Sequence, residues 1–411
     1  MTASITISAR PRLVSAPFVA VTLATLAFFV FVGMVVTTLP RFIEHQLGGD
    51  GLAIGINLAM FSVAAIAARP MIARIGDRYG RRTLMVGGSL LAAVAVFSTA
   101  FVTSLTALLP LRALSGVGEA ALFVGAATLI ADLSPSDRLA EGASYFSLAV
   151  FGGLGVGPVL GQVVLDHGSY RAVFLTASLA CLAAALISLT APNRVAGVAE
   201  APADSPHRGF HRAAVLPGLV LAFAVAGFVS FNAFLPTRAE ALGMPATGPF
   251  VVYSALCLGL RLLGARLPER MGLGTALTSA LVGLSLGLLV LAVVTQPSGV
   301  YLGTVVLSMG MALLYPSLMA FTVNSVSEEE RALALASFTM FFEIGTVAGG
   351  LALGSVARFT GEQGAFAGGA VLAATGIWVL RRRLLPVAHL RQPLVPAPVA
   401  PIFDGGLSVG D

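Results

Sequence analysis

The chain of 411 residues is 57% hydrophobic and only 10% charged, whereas soluble globular domains carry about 25% charged residues, so an ordinary soluble protein is excluded. Its formal net charge of +5 comes from 24 basic and 19 acidic residues, and every basic residue is Arg. Without Lys the chain has neither a P-loop lysine nor a Schiff-base lysine, which excludes ATP hydrolysis of that kind and a retinal-type pump.

Twelve segments of the chain are apolar over about 20 residues, the length that a helix needs to cross a bilayer. We therefore expect an all-α membrane protein with twelve transmembrane helices. The expected spans are 17–40, 51–74, 83–103, 106–131, 141–165, 171–191, 214–237, 247–267, 274–295, 299–323, 332–356 and 364–381.

Two polar stretches divide the chain. Residues 192–213, rich in Pro, Ala and charge, predict a cytoplasmic linker between a six-helix bundle over 1–191 and a second one over 214–385. The Pro-rich stretch 386–411 predicts a disordered cytoplasmic tail. With a cytoplasmic N-terminus, 17 of the 24 Arg residues fall on the inner side and 4 in outer loops. We expect a multi-pass protein of the cell membrane with both termini in the cytoplasm.

The two bundles resemble each other in sequence. RPMIARIGDRYG (69–80) aligns with RLLGARLPERMG (261–272) at an offset of 192, and GLGVGPVLG (153–161) aligns with TVAGGLALG (346–354) at an offset of 193. Because each half has six spans, an even number, we expect two parallel six-helix repeats. Parallel halves are a known architecture of secondary transporters, whose substrate site lies between the halves near the midplane.

The His and Cys residues are not grouped in a way that could hold a metal or a cofactor within the spans. All five His residues lie outside the spans, and Cys181 and Cys257 each stand alone in an apolar segment. No nucleophile–base pair stands out, and the Arg residues lie in short loops between apolar segments. We therefore expect no catalytic residues, no metal, no cofactor and no nucleic-acid partner.

Glu119 and Glu343 are the only two of the 19 acidic residues that lie mid-span. A charged carboxylate there costs at least ~2.5–3.5 kcal/mol, which suits a group that carries a proton. Arg112 precedes Glu119 by two helical turns, so the two share a helix face and Arg112 can tune the proton affinity of Glu119. Glu343 aligns with Val150 and so breaks the repeat. Glu119, Glu343 and Arg112 are the proton-coupling candidates; the alternatives are a site for a cationic substrate or structural pairs with intramembrane Arg residues.

The loop after the second span, ARIGDRYGRR (73–82), resembles the G-x-x-x-D-R-x-G-R-R signature of the major facilitator superfamily, with Ala73 in place of the first Gly. The resemblance extends over the twelve spans and implies the fold of that superfamily with a cytoplasmic gate at this loop; a positive-inside anchor is the alternative. Arg69 and Arg261 occupy equivalent positions in the two halves, so we add them to the gate candidates. The alternative role for both is substrate binding. The gate residues matched by the signature are Asp77, Arg78, Arg81 and Arg82.

Two further motifs resemble the same superfamily. RALSGVGEA (112–120) is similar to its R-x-x-x-G-x-G pattern in span four. GLGVGPVLGQ (153–162) is similar to G-x-x-x-G-P-x-x-G-G, which in the superfamily marks exporters that exchange substrate for protons, although the last Gly is Gln162 here. Spaced Gly residues allow a partner helix to approach closely and Pro bends the helix, so generic packing is the alternative. The matching residues in span five are Gly153, Gly157, Pro158 and Gly161.

Aromatic residues on the spans that line the cavity in this superfamily are candidates for substrate contact. Packing against helices or lipid is the alternative for each of them. These substrate-cavity candidates are Phe123, Tyr145, Tyr253, Tyr315, Phe338 and Phe342.

The buried carboxylates and the resemblance together predict a secondary transporter of the twelve-span drug and metabolite:proton antiporter type. It would export a small molecule in exchange for protons by alternating access, as a monomer in the lipid bilayer. The alternative is a proton-coupled symporter that imports a sugar, metabolite or organic acid on the same fold. A third interpretation is a transporter-like sensor or a lipid flippase that moves no soluble substrate.

Overall fold

A computed structural model describes residues 13–135, 138–193, 210–263, 271–327 and 330–386, and the regular elements in these ranges are all helices. Most of the expected linker and nearly all of the expected tail lie outside the described residues. The α-helices are α1 (Ala16–Leu47), α2 (Gly51–Tyr79), α3 (Arg81–Thr99), α4 (Leu105–Leu133), α5 (Leu139–His167), α6 (Tyr170–Ser188), α7 (Val215–Ala241), α8 (Thr247–Leu263), α9 (Leu273–Val293), α10 (Pro297–Asn324) and α11 (Arg331–Val379).

Ten helices in the described ranges are long and apolar enough to cross a membrane, which confirms the prediction of a multi-pass, all-helical membrane protein. A 3₁₀ turn, Arg212–Ala214, precedes α7, and a π-helical turn, Leu380–Leu384, follows α11. A further apolar helix, Thr247–Leu260, is shorter and coincides with the start of the expected span 247–267.

The longest element, α11, consists of two helices joined at Gly361. This residue has φ 71° and ψ −169°, a combination that is open to Gly and strained for any residue with a Cβ. The arm before Gly361 covers the expected span 332–356, and the arm after it covers the expected span 364–381. The break therefore accounts for two expected spans within one continuous helical element.

Polar side chains define where several helices begin. Ser15, Asp50, Ser104 and Ser169 each precede a helix and accept a hydrogen bond from the backbone N–H three residues further on. The connections before α2, α4 and α6 are short, so each pair of neighbouring helices runs in opposite directions. We call the end of the bundle where α1 begins the near end, and the end where α1 finishes the far end.

Glycines allow α5 to lie directly against α1. A Cβ on Gly153 would lie 2.6 Å from Phe29 Cβ, and a Cβ on Gly157 would lie 2.7 Å from Gly33 Cα. Both distances are shorter than real Cβ contacts, so only Gly permits this approach. The close approach expected of the span-five motif is therefore present, and the partner of that motif is α1.

The expected offset of 193 for this motif is wrong by one residue. The glycines of α11 that face α7 are Gly345 and Gly349, because a Cβ on either would collide with the backbone at Ala222 or Ala226. They correspond to Gly153 and Gly157 at an offset of 192. The alignment failed because two adjacent residues of α11, Gly349 and Gly350, are both Gly, and sequence alone cannot tell which of them faces the partner.

The offset of 192 recurs in other contacts. A Cβ on Gly118 of α4 would lie 2.6 Å from the carbonyl oxygen of Gly88 in α3, and a Cβ on Gly310 of α10 would collide with the carbonyl of Ala280 in α9. Gly80 and Gly272 both precede a helix with positive φ, 92° and 76°. The same local packing therefore appears twice along the chain.

Candidate functional site

Two carboxylates meet inside the bundle at half its height. Glu119 lies in the middle of α4 and is 4% exposed, and Glu343 lies in the first arm of α11 and is 8% exposed. They come from different helix groups, the first formed by α1–α6 and the second by α7–α11. The two side chains are close enough to repel each other electrostatically. A buried pair of like charges is costly unless a cation or a proton neutralises one of them.

Arg69 of α2 is the cation whose charge acts on both carboxylates. Its guanidinium also lies 5.7 Å from the ring centroid of Phe123 on α4. Ser62, two turns before Arg69, faces Glu343 without a hydrogen bond of normal geometry. Within the described part of the chain, Ser62 Oγ, Arg69 Nε and Glu119 Oε2 are buried without a hydrogen-bond partner. Among the described residues, the site therefore combines the cation Arg69 and two carboxylates with unused hydrogen-bonding capacity for a proton or a small polar group.

Arg112 lies on the side of α4 that faces α2, and its predicted influence on Glu119 stays a prediction. Its Nε donates a hydrogen bond of 3.4 Å to the carbonyl oxygen of Asn57, and its guanidinium lies 4.7 Å from the ring centroid of Phe61. Both partners belong to α2, and the nearby Gly116 allows α4 to touch the backbone of Phe61. These contacts favour a role for Arg112 in holding α4 to α2.

We expect the substitution Arg112→Ala to lower the free energy of unfolding by about 1–3 kcal/mol, because it removes the charged hydrogen bond to Asn57 and the contact with the Phe61 ring that join α4 to α2. Thermal or denaturant unfolding of the purified protein in detergent measures this change. Leu114→Ala on the exposed face of the same helix is the control and should change stability much less. A stable Arg112→Ala variant that has lost only its pH dependence would contradict the structural role.

The aromatic candidates fall into separate clusters. Phe123 contacts Phe146 at 5.2 Å between ring centroids, and Tyr315 contacts Phe338 at 5.6 Å. Tyr145 contacts only the near-end residue Phe18 among the ring pairs described, at 5.9 Å. The other two candidates lie in the second group: Tyr253 packs on Phe228 and Phe231 of α7, and Phe342 is half-buried on α11.

The gate candidates lie at the near end of α2 and α3. Asp77 forms an ion pair of 3.2 Å with Arg81 across the turn between these helices, and the guanidinium of Arg78 lies 5.2 Å from the ring of Tyr79. Arg82 follows at the start of α3 and is exposed. The side chain of Arg261 lies outside the described part of the chain, so its predicted role stays a prediction. Arg69 lies with the carboxylates, about two turns from Asp77.

Sequence reasoning missed a set of bonds that joins the two helix groups at the far end. Arg41 pairs with Glu240 at 3.3 Å, Arg358 pairs with Asp50 at 3.0 Å, and Thr247 donates to Asp166 at 2.6 Å. Each bond joins a helix of the first group to a helix of the second. We call these six residues the far-end clasp: Arg41, Asp50, Asp166, Glu240, Thr247 and Arg358.

Gln162, which replaces the last Gly of the span-five motif, supports the clasp. Its side chain is buried, and its Nε2 donates a hydrogen bond of 2.7 Å to Asp166 Oδ1, while Asp166 Oδ2 accepts from Thr247. A Gly at this position could not hold the carboxylate in that orientation. The signal for this role was the departure itself, because a buried amide needs polar partners.

We expect the substitution Gln162→Gly to loosen the clasp, because Asp166 loses a hydrogen bond worth about 0.5–1.5 kcal/mol. A cysteine introduced at the buried position Ala246 should then react about 2–10 times faster with a membrane-impermeant maleimide. Gln296→Gly, an exposed far-end position outside the clasp, is the control. Equal labelling rates in the two variants would mean that Gln162 does not support the clasp.

Comparison with known proteins places this arrangement in a family. The chain matches the family described as Major Facilitator Superfamily over residues 21–302 and 275–407. It is 24% identical over 391 residues to the uncharacterized MFS-type transporter YhhS of Escherichia coli K12, covering 91% of this chain and 94% of that protein. It is 29% identical over 367 residues to an uncharacterized MFS-type transporter of Burkholderia pseudomallei strain 1106a, covering 86% and 88%.

Solved structures show the same fold. The crystal structure of the nucleoside transporter NupG superposes with a TM-score of 0.70, covering 92% of this chain and 100% of that one. The sequence identity in this comparison is 16%, so the likeness concerns the fold and leaves the substrate open.

Proposed function

The chain belongs to the major facilitator superfamily and is a membrane transporter, and from this premise we propose that it exports a small molecule in exchange for protons by alternating access. The observation that carries the proposal is the pair Glu119 and Glu343, contributed by opposite helix groups and both acted on by the charge of Arg69. A proton bound there neutralises the excess negative charge between the groups. A drug or a metabolite is the proposed cargo.

The proposed architecture is twelve spans in two parallel six-helix halves. The contacts that recur at an offset of 192 support it: Gly118 with Gly88 and Gly310 with Ala280, and the shared conformation of Gly80 and Gly272. One chain supplies both halves of the site, so we propose a monomer. The excess of Arg at the near end of the helices supports a cell-membrane protein with the near end and both termini in the cytoplasm.

In this orientation the far-end clasp closes the outer side. Opening to the outside breaks the bonds of Arg41, Asp50 and Asp166 to the second half and exposes the carboxylates to external protons. Protonation of Glu119 or Glu343 removes the cost of burying a second negative charge, which is at least ~2.5–3.5 kcal/mol mid-membrane, and so favours closure of the outer side. On the inner side, substrate binding displaces the proton and completes the exchange.

The direction of transport rests on the span-five motif. Gly153 and Gly157 hold α5 against α1 as the antiporter motif requires, and Gln162 departs from it at the clasp. The second candidate is a proton-coupled symporter that imports a sugar, metabolite or organic acid, because the same carboxylate pair can load a proton together with a substrate. The two differ in one measurable respect, whether the protein lowers or raises the amount of substrate inside the cell.

Accumulation of a panel of drugs, dyes and metabolites in an efflux-deficient bacterial host tests the proposal. The comparison is between wild type, Glu119→Gln and Glu343→Gln, each with and without a protonophore. We expect wild type to lower the amount of compound that the cells accumulate. The protonophore or either variant should return that amount to the level of cells without the transporter. Higher accumulation with wild type would establish import. Lower accumulation that is unaffected by the protonophore and by both variants would overturn proton coupling.

A further inference from the structure

The carboxylate site has a counterpart in the second helix group. At an offset of 192, Phe123 and Phe146 correspond to Tyr315 and Phe338, and both pairs form ring contacts, at 5.2 Å and 5.6 Å between centroids. Ser62 of α2 corresponds to Ser254 of α8. Ser62 faces Glu343 on α11, and Ser254 donates a hydrogen bond to the carbonyl of Gly155 on α5, so each serine meets the opposite group.

The counterpart differs from the carboxylate site at the two acidic positions, whereas the cation Arg69 has its repeat equivalent in Arg261. Glu119 corresponds to Met311, and at the corrected offset of 192 Glu343 corresponds to Phe151 and not to Val150. Phe151 reaches across to Tyr315 with 4.6 Å between ring centroids, as Glu343 reaches across toward α2 and α4. The two positions that hold Glu in the first place therefore hold one aliphatic and one aromatic residue in the second. The two equivalent places cannot carry out the same chemistry.

We propose that the place formed by Phe151, Ser254, Met311, Tyr315 and Phe338 is a subsite for a planar ring of the transported molecule. This inference rests on the proposed transport function and narrows its substrate to ring-bearing compounds. Phe151 and Tyr315 are both half-buried at mid-height, whereas Phe338 behind them is fully buried. The first two rings belong to different halves, so their contact must open when the halves rock. A planar ring that enters between them restores the edge-to-face and stacking contacts that the opening removes.

The chemistry of the neighbouring residues supports a ring. Met311, 5% exposed, offers a polarizable thioether that packs well against aromatic rings. None of the five side chains carries a charge: the hydroxyl of Ser254 already donates to the carbonyl of Gly155, and the other polar group is the phenol hydroxyl of the Tyr315 ring. A separate ring subsite leaves Glu119 and Glu343 for the proton, so the ring and the proton bind at different places that the repeat relates.

Equilibrium binding to the full chain in nanodiscs tests this division with three ions: tetraphenylphosphonium, tetraphenylborate and the ring-free tetrabutylphosphonium. We expect at least one tetraphenyl ion to bind wild type about tenfold more tightly than tetrabutylphosphonium. Phe151→Leu and Tyr315→Leu should remove that preference, and Tyr315→Phe should keep it. Phe146→Leu, which removes the ring equivalent to Phe338 in the other half, is the matched control and should also keep it.

The same measurement on Glu119→Gln and Glu343→Gln separates this inference from the proposed function. A ring preference that persists in both variants supports two distinct subsites even if proton-driven export fails. Binding of neither tetraphenyl ion, or a preference that Tyr315→Leu leaves intact, overturns the ring subsite. A preference that disappears in the Gln variants and survives in Phe151→Leu would place the ring at the carboxylates and also overturn it.

Discussion

Replacing Glu343 by Gln is expected to abolish proton-driven transport and to leave the protein folded. Gln has nearly the same shape as protonated Glu, so the variant mimics a site that is permanently loaded with a proton. It can close on the outside but has no proton to release on the inside. In wild type, binding and release of the proton remove and restore a mid-membrane charge that costs about 2.5 kcal/mol or more. Because the variant loses this energy difference, we expect uphill export to fall by about 100-fold.

Two assays in proteoliposomes distinguish loss of coupling from loss of the protein. A pH gradient should drive uptake of an exported compound by wild type and fail to do so for Glu343→Gln. Exchange of labelled for unlabelled compound at equal concentration needs no net proton release, so the variant should retain it. Glu141→Gln, which removes a partly exposed acidic residue whose partner Arg138 lies in the same half, is the control for charge alone. If the variant lost both exchange and uphill transport, Glu343 would be assigned to substrate binding.

Glu119→Gln gives the second half of this comparison. Arg69 acts on both carboxylates, so the remaining glutamate can pair with it when the other is neutral. If one glutamate releases the proton and the other only partners Arg69, the two Gln variants will differ in uphill transport. Equal loss in both would mean that the pair titrates as a unit.

The fold was predictable because each span is a long apolar run with polar residues at its ends. The expected starts of α2 and α8, residues 51 and 247, agree with the structure, since Gly and Thr follow polar loops there. The first expected span ended at Pro40, and the helix that forms it continues to Leu47. Proline removes one hydrogen bond but does not end a helix whose neighbours pack against it, and the hydropathy pattern alone does not record those neighbours.

The site was predictable in its acidic residues and less so in its basic ones. A glutamate inside a span stands out without knowledge of its neighbours, and the structure brings both such residues together. The arginine beside them depends on which faces of α2 and α4 meet. Spacing along α4 pointed to Arg112, but Arg112 faces Asn57 and Phe61, and Arg69 from α2 takes the place next to the carboxylates.

The clasp could not be predicted because each bond joins residues that are distant in the chain. Arg358 and Asp50 are both exposed by nearly half of their side-chain surface, and such residues look like ordinary solvent-facing charges in sequence. Only the packing of α2 against α11 brings them together. The small residues that permit this packing are Gly51, Gly55 and Gly350. Such residues are common in membrane helices, and the sequence does not indicate which helix they contact.

Replacing Gly55 by Val is expected to hold the transporter open on the outer side. Gly55 lies where α2 of one half touches α11 of the other, and even a Cβ would collide with the carbonyl of Gly350. Overpacking of this kind costs about 1–3 kcal/mol, and here the cost falls on the closed state alone because the two helices separate when the outer side opens. The ratio of open to closed molecules should therefore rise by about 5–150-fold.

A cysteine at Leu58 reports this shift, because Leu58 is buried against Gly350 in the closed state. In a background without Cys181 and Cys257, external maleimide should label Leu58→Cys slowly, and rapidly once Gly55→Val is added. Gly87→Val is the control for added bulk, since nothing lies within 4 Å of a Cβ at that position of α3. Unchanged labelling in Gly55→Val, with the protein stable and export retained, would mean that α2 and α11 do not separate during transport. Since Gly55 touches neither the carboxylates nor the aromatic subsite, loss of export with fast labelling would show that closure of the outer side is itself a required step of the cycle.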